Sequence, residues 1–253
     1  MKIQRTDVYQ KGTLLSAPLN LKKEEPAWEI LSQQLKKACL SRLRRLENTN
    51  FTVISNDCCA SFLYDSLNLQ KATPTCGMTI GRYAFVDFCL HLRAYLSMPV
   101  EEPTEEDLKR YPGCKAPIGI LRGTGELPSI GLIFTHYPSL ETAREAWYRR
   151  RERVNYDNLF FILDCCMETS EALQDAFERL PYENKVMFTR LEDPERWKDT
   201  FCFSCFTDGS CHAAYFMDYL VTDNGIFRVL DEFDYVNWLN QGQPSGGIAH
   251  TSR

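Results

Sequence analysis

Residues 159–163 read Leu-Phe-Phe-Ile-Leu, an unbroken apolar run. Neighbouring side chains of an extended strand point to opposite faces, so this run needs cover on both sides, as strands of a parallel sheet have. An amphipathic helix pattern follows over Ser170 to Leu180, then a second strand pattern from Lys185 to Thr189. Earlier in the chain, Phe51 to Ile54 reads as a buried strand and Ala60 to Leu67 as a helix. Trp28, Leu31, Leu35, Ala38, Leu43 and Leu46 form a further helical stripe. Arg82 to Met98 and Ser139 to Val154 are helical by spacing, with Ser139 a natural N-cap. The order of strand, helix, strand, helix, strand indicates an α/β fold, with a largely parallel sheet flanked by helices.

Ile118 to Arg122 and Ile130 to Thr135 are short strands around the turn Gly123, Gly125, Pro128. Phe201 to Phe206 reads as a strand and Phe227 to Leu239 as a helix. Residues 1–24 read as a ragged arm, 25–240 as the α/β domain and 241–253 as a disordered tail. The acidic, proline-punctuated connection near residues 101–112 offers a boundary between two lobes, 25–100 and 113–240.

Composition excludes several classes. The chain has 253 residues and a formal charge of -5, which argues against a nucleic-acid binder, because phosphate contacts require a clustered basic surface. Its 11 cysteines are odd in number, scattered and often set in apolar runs, a pattern of buried thiols in a reducing cytoplasm. No apolar window approaches the roughly 18 residues of a membrane span. The start lacks the apolar core of about 7–15 residues that a signal peptide carries. Nucleotide-loop, dinucleotide, zinc-protease and nucleophile-elbow motifs are all missing. Cys202, Cys205, Cys211 and His212 do not make a zinc site, because Cys-x-x-C in an extended run sends its sulfurs to opposite faces. The reading calls for no metal and no cofactor.

Ligands of open α/β sheets gather beyond the carboxyl ends of the strands. Ser55, Asn56 and Asp57, Thr135 and His136, Asp164 and Cys165, and Thr189 and Arg190 all fall at such ends. Parallel neighbours would bring them to one rim. Cys58 would lie at a helix start, where free N–H groups favour a thiolate, with His136 as its base. A buried thiol beside a capping Asn56 is the alternative. His136, in a loop before a helix, suits proton transfer. Arg150 falls near the apolar stripe of its helix and must be paired. It and Arg153 suit either an anion or a structural ion pair, while Arg149 and Arg151 belong to a solvated face. Asp87 lies four residues before His91 on one helix, in reach of a hydrogen-bonded pair.

Four segments together resemble a bacterial family of unknown molecular function known as exopolysaccharide or capsule biosynthesis proteins. They are FTVISNDCCAS, TPTCGMTI with Asp87-Phe88 following, LIFTHYPSLETAREAWYRRRERVNYDNLFFI, and LPYENKVMFT. The third is the most specific, with His136, Tyr137, Trp147, Arg150, Arg153, Asn155 and Asn158 in order. Where the family's first motif runs Ser-Asn-Asn-Cys followed by Trp and two glycines, this chain has Asp57, Cys58, Cys59, Ala60 and Ser61. It keeps Cys58 and loses both glycines. The resemblance implies a role in making or decorating surface polysaccharide and supplies no reaction. Together with the rim residues, the first expectation is a cytoplasmic transferase with a sugar or sugar-phosphate ligand. His136, Cys58 and Asp87 are then the candidate catalytic residues, and Asn56, Arg150, Arg153, Asn155 and Asn158 the candidate binding residues. A thiol-dependent acyltransferase or hydrolase using Cys58, and a non-catalytic binding protein, are the alternatives.

Overall fold

The computed structural model describes residues 3, 13–15, 33, 37–38, 40–166, 169–191, 193–204, 219–222 and 225–242. Four strands form a parallel sheet: β2 (Thr52–Ser55), β7 (Leu159–Asp164), β8 (Lys185–Phe188) and β9 (Thr200–Phe201), in that spatial order. Val53, Phe160, Ile162, Val186 and Phe188 enter one core; Ile54, Phe161, Leu163 and Met187 enter the other. Alternation at a period of two therefore buries both faces, as the run at 159–163 requires.

The first core is covered by the end of helix α1 (residues 40–45), by α2 (Cys59–Ser66) and by α8 (Tyr235–Asn240). Arg42 meets Asp231 at 2.6 Å, and Asn240 accepts the N–H groups of Glu47 and Asn48, so both ends of the described chain pack together. The second core is covered by α3 (Arg82–Leu90), α4 (Leu92–Ser97), α6 (Leu140–Arg151), α7 (Glu171–Glu178) and a second sheet. That sheet is antiparallel, in the order β3 (Thr79–Ile80), β6 (Ile130–Ile133), β5 (Ile118–Leu121), β4 (Val100–Glu101). A third antiparallel sheet joins β1 (Thr13–Leu15), β10 (Tyr219–Thr222) and β11 (Gly225–Arg228).

Several expectations change. β5 and β6 do not join the parallel sheet, because a short turn can only connect antiparallel neighbours; a parallel return needs a crossover. β4 pairs with β5 across the acidic connection, which holds α5 (Glu105–Leu108), so chain on either side of residues 101–112 shares one sheet. The helix expected over 82–98 breaks at His91, whose φ of -117° and ψ of 33° leave the helical region. The stretch 227–239 divides into the end of β11, a 3-10 turn (Val229–Glu232) and α8, because Phe233 is extended and Asp234 starts a new helix by accepting the Asn237 N–H. Of the expected strand at 201–206 only Phe201 falls in β9 (Thr200–Phe201); residues 205 and 206 lie outside the described residues. The same holds for Cys205, Cys211, His212, most of the arm at 1–24 and residues 243–253 of the tail. Among the described residues no helix is long and apolar enough to cross a membrane.

Candidate functional site

The corner after β2 is closed by its own side chains. Ser55 Oγ accepts the Ala60 N–H at 3.1 Å, and Asp57 Oδ1 accepts the Cys59 N–H at 2.9 Å. Two of the free donors of the α2 start are thereby taken. Asn56 joins β2 to β7: its Oδ1 accepts the Asp164 N–H at 2.7 Å and its Nδ2 donates to the Asp164 carbonyl at 3.2 Å. The helix after β2 covers one face of the sheet and the helix after β7 the other. Chains that part in this way leave an opening at the strand ends, the usual place for a ligand in such folds.

Beside that opening lies a cavity of about 360 Å³. One wall is the stripe Cys58, Ser61, Phe62 and Asp65 of α2, spaced at helical i, i+3, i+4 and i+7 and opposite the buried stripe Cys59, Leu63 and Leu67. A second wall is the loop from Lys71 to Gly77, buried at Thr73 and Thr75 and tied to β2 by the Ser55 N–H, which donates to Thr75 Oγ1 at 3.2 Å. His136, Tyr137 and Arg150 close the third side. Gly77 makes that meeting possible. At φ 73° its carbonyl turns to accept the His136 N–H at 3.1 Å, a conformation that favours glycine.

Arg150 donates to the Cys76 carbonyl at 3.3 Å and to the Tyr137 hydroxyl. Both partners are neutral, and among the described residues no carboxylate is ion-paired with it. Lys71 is paired with Asp65 at 2.9 Å. The Cys76 thiol registers the whole group: burial pushes it up, a hydrogen bond with Ser61 pulls it down, and Arg150, Lys71 and Asp65 all act on it. The cavity thus carries one uncompensated cation beside a neutral-sum ion pair. His136 is exposed at its edge.

The thiolate expected at Cys58 is not favoured. Burial first, and the adjacent Asp57 second, push the thiol above its ordinary value; hydrogen bonds with Thr135 and Gly77 oppose without reversing them. The helix start offers less help than its position suggests, since Ser55 and Asp57 have taken the Ala60 and Cys59 N–H groups.

The Asp57 carboxyl is itself shifted toward the acid form. Burial, then the charge of Asp164 across the strand ends, push its pKa well above the ordinary 3.8. The folded chain therefore keeps a proton that the unfolded chain has lost. That contribution is complete below pH 3.8 and disappears as pH rises through the raised value. Asp57→Asn retains the acceptor for Cys59 and supplies a permanent donor toward Asp164. We expect it to be more stable than the parent at neutral pH, by on the order of 1 kcal/mol, the difference shrinking toward pH 4. Thermal melts of both proteins across that range check this; a variant less stable at pH 7 would contradict it.

The remaining sequence candidates are dispersed. Arg153 donates to the Lys71 carbonyl at 3.4 Å, behind the cavity wall. Asn155 and Asn158 sit at the amino end of the sheet, the opposite end from Asn56. Asn155 Nδ2 donates to the Asn50 carbonyl at 2.9 Å, and Asn158 Nδ2 to Asn48 Oδ1 and the Asn50 carbonyl, both at 2.9 Å. Asp87 lies within α3, where its charge acts on Tyr95 rather than at the cavity. Arg149 is exposed as expected, whereas Arg151 is half-buried and donates to the Leu96 carbonyl at 3.1 Å. Sequence reasoning missed Ser61, Phe62, Asp65, Lys71 and Cys76. The first three were within reach, since they continue the helical face that Cys58 begins. Among the described residues no three or more His, Cys, Asp or Glu side chains are grouped to hold a metal ion.

Comparison with known proteins adds a family and a relative. A family model described as a domain of unknown function (DUF1919) matches residues 31–240. An uncharacterized protein of Haemophilus influenzae is 28% identical over 197 residues, covering 78% of this chain and 87% of that protein.

Proposed function

Because the chain belongs to the DUF1919 family, whose description assigns no reaction, we propose from its site that it is a transferase of surface-polysaccharide assembly acting on a phosphate-bearing sugar. The cavity between α2 and α6 holds the ligand. The pathway rests on the four segments that resemble exopolysaccharide biosynthesis proteins, and the cytosolic setting on the scattered cysteines in apolar runs. The ligand class rests on one observation, the Arg150 guanidinium at the cavity wall with only neutral partners. A guanidinium fork suits phosphate oxygens, and a site partly screened from water strengthens the attraction.

In the proposed step the bond between the sugar carbon and the phosphate oxygen breaks while a bond to an acceptor hydroxyl oxygen forms. The phosphate leaves on Arg150, and the acceptor's proton passes to the His136 imidazole. Asn56, Asn155 and Asn158 take no part, being committed to backbone groups and, for Asn158, to the Asn48 side chain as well. Cys58 is a wall residue in this reading. Glucose 1-phosphate and a nucleotide sugar should each raise the melting temperature of the parent protein and, by a similar amount, that of Cys58→Ser. His136→Ala should bind the same probes yet fail to release the nucleoside phosphate from the nucleotide sugar in the presence of an acceptor glycan. A parent protein indifferent to every phosphate-bearing probe would end the proposal.

A further inference from the structure

Asp65 and Lys71 line the same cavity as Arg150. Their ion pair, at 2.9 Å, is 55% and 29% exposed, respectively. Both reach the cavity and both act on the Cys76 thiol that Arg150 also touches electrostatically. A carboxylate and an ammonium held side by side offer an acceptor and a donor about one hydrogen-bond length apart. That is the complement of two neighbouring hydroxyls, one donating to the carboxylate and the other accepting from the ammonium. Inorganic anions gain nothing from such a pair, since the carboxylate repels them.

Phe62, one turn before Asp65 on the same stripe of α2, lines the cavity as well. Its ring is half-buried and the Arg228 guanidinium lies over it, 5.3 Å from the ring centre. An aromatic wall in one cavity with a guanidinium and a paired charge fits a ring with C–H groups on its face and hydroxyls on its rim. Arg153 fixes the arrangement from behind by holding the Lys71 carbonyl.

We infer that the Asp65–Lys71 pair reads vicinal hydroxyls of the sugar ring, with the ring against Phe62 and the phosphate on Arg150. The inference rests on the sugar-phosphate reading above and assigns the residues that distinguish a sugar phosphate from any other phosphate ester.

The test is a calorimetric titration with glucose 1-phosphate, cyclohexyl phosphate and inorganic phosphate. Cyclohexyl phosphate keeps the ring and the anion and removes every ring hydroxyl. The parent should prefer glucose 1-phosphate over cyclohexyl phosphate by about tenfold or more, the worth of hydrogen bonds to charged groups. Asp65→Asn should erase that preference while holding or improving affinity for inorganic phosphate, since a negative charge has gone. Lys71→Gln should erase the preference too. If the parent binds all three phosphates with no preference, or if Asp65→Asn weakens all three alike, the hydroxyl-reading pair is overturned and the anion site stands. If the parent binds none of them, the sugar-phosphate reading and this inference fall together.

Discussion

Arg150→Met is expected to lower the affinity of the cavity for glucose 1-phosphate by about 100-fold or more, near the upper end for charge-assisted hydrogen bonds to an ionised ligand. Methionine keeps the stem that packs along α6 and removes only the charged fork. The wall it supports survives, because the Tyr137 hydroxyl donates independently to the Cys76 carbonyl at 3.1 Å. The melting temperature should therefore change little while binding collapses. Arg149→Met, at an exposed position of the same helix turn, serves as the control and should bind like the parent. Arg150→Lys should recover only part of the loss, since an ammonium cannot reproduce the planar fork. Titration calorimetry on the four proteins measures this directly. Affinity of Arg150→Met within threefold of the parent would mean that phosphate is held elsewhere.

The largest stability effect is expected at Asn56. Its amide spans β2 and β7 at their ends and satisfies both backbone groups of Asp164, all of them buried. In Asn56→Ala the Asp164 carbonyl keeps one donor, the Arg82 Nε at 3.2 Å, but the Asp164 N–H is left without its acceptor. An orphaned buried donor, together with the lost bridge, should cost about 2–4 kcal/mol. Asn56→Asp should fare no better, because it retains an acceptor but places a third carboxyl group beside Asp57 and Asp164. Urea unfolding monitored by circular dichroism gives the difference. A loss below about 1 kcal/mol would show that the strand ends are held by packing alone.

What the sequence disclosed followed its periodicities. The run at 159–163, the N-cap Ser139, the helix pattern opening at Ser170, and the strand-to-helix corner at 55–59 are local patterns, and the structure has each of them. The partition into two sheets was less legible, because β5 and β6 are as apolar as β7 and only the brevity of their connecting turn separates them. Asn155 and Asn158 resemble Asn56 in type, yet they precede a strand where Asn56 follows one. Direction along the chain placed them at opposite ends of the sheet. The pairing of Asp65 with Lys71 depends on the course of the loop between them and left no periodic trace. Cys58 misled in another way: its position at a helix start was legible, but its burial was not, nor that Ser55 and Asp57 take two of the donors there.

The long return from β2 to β7 also bears on how the protein reaches its native state. The chain leaves the parallel sheet at Ser55, builds α2, the antiparallel sheet and α6, and only then comes back at Leu159 to lie beside the strand it left. Closing so distant a pair carries a large entropy cost, whereas the β5–β6 hairpin closes early and cheaply. Refolding should thus begin at the hairpin and finish at the β2–β7 seam. The cavity walls would then be the last part of the molecule to assemble.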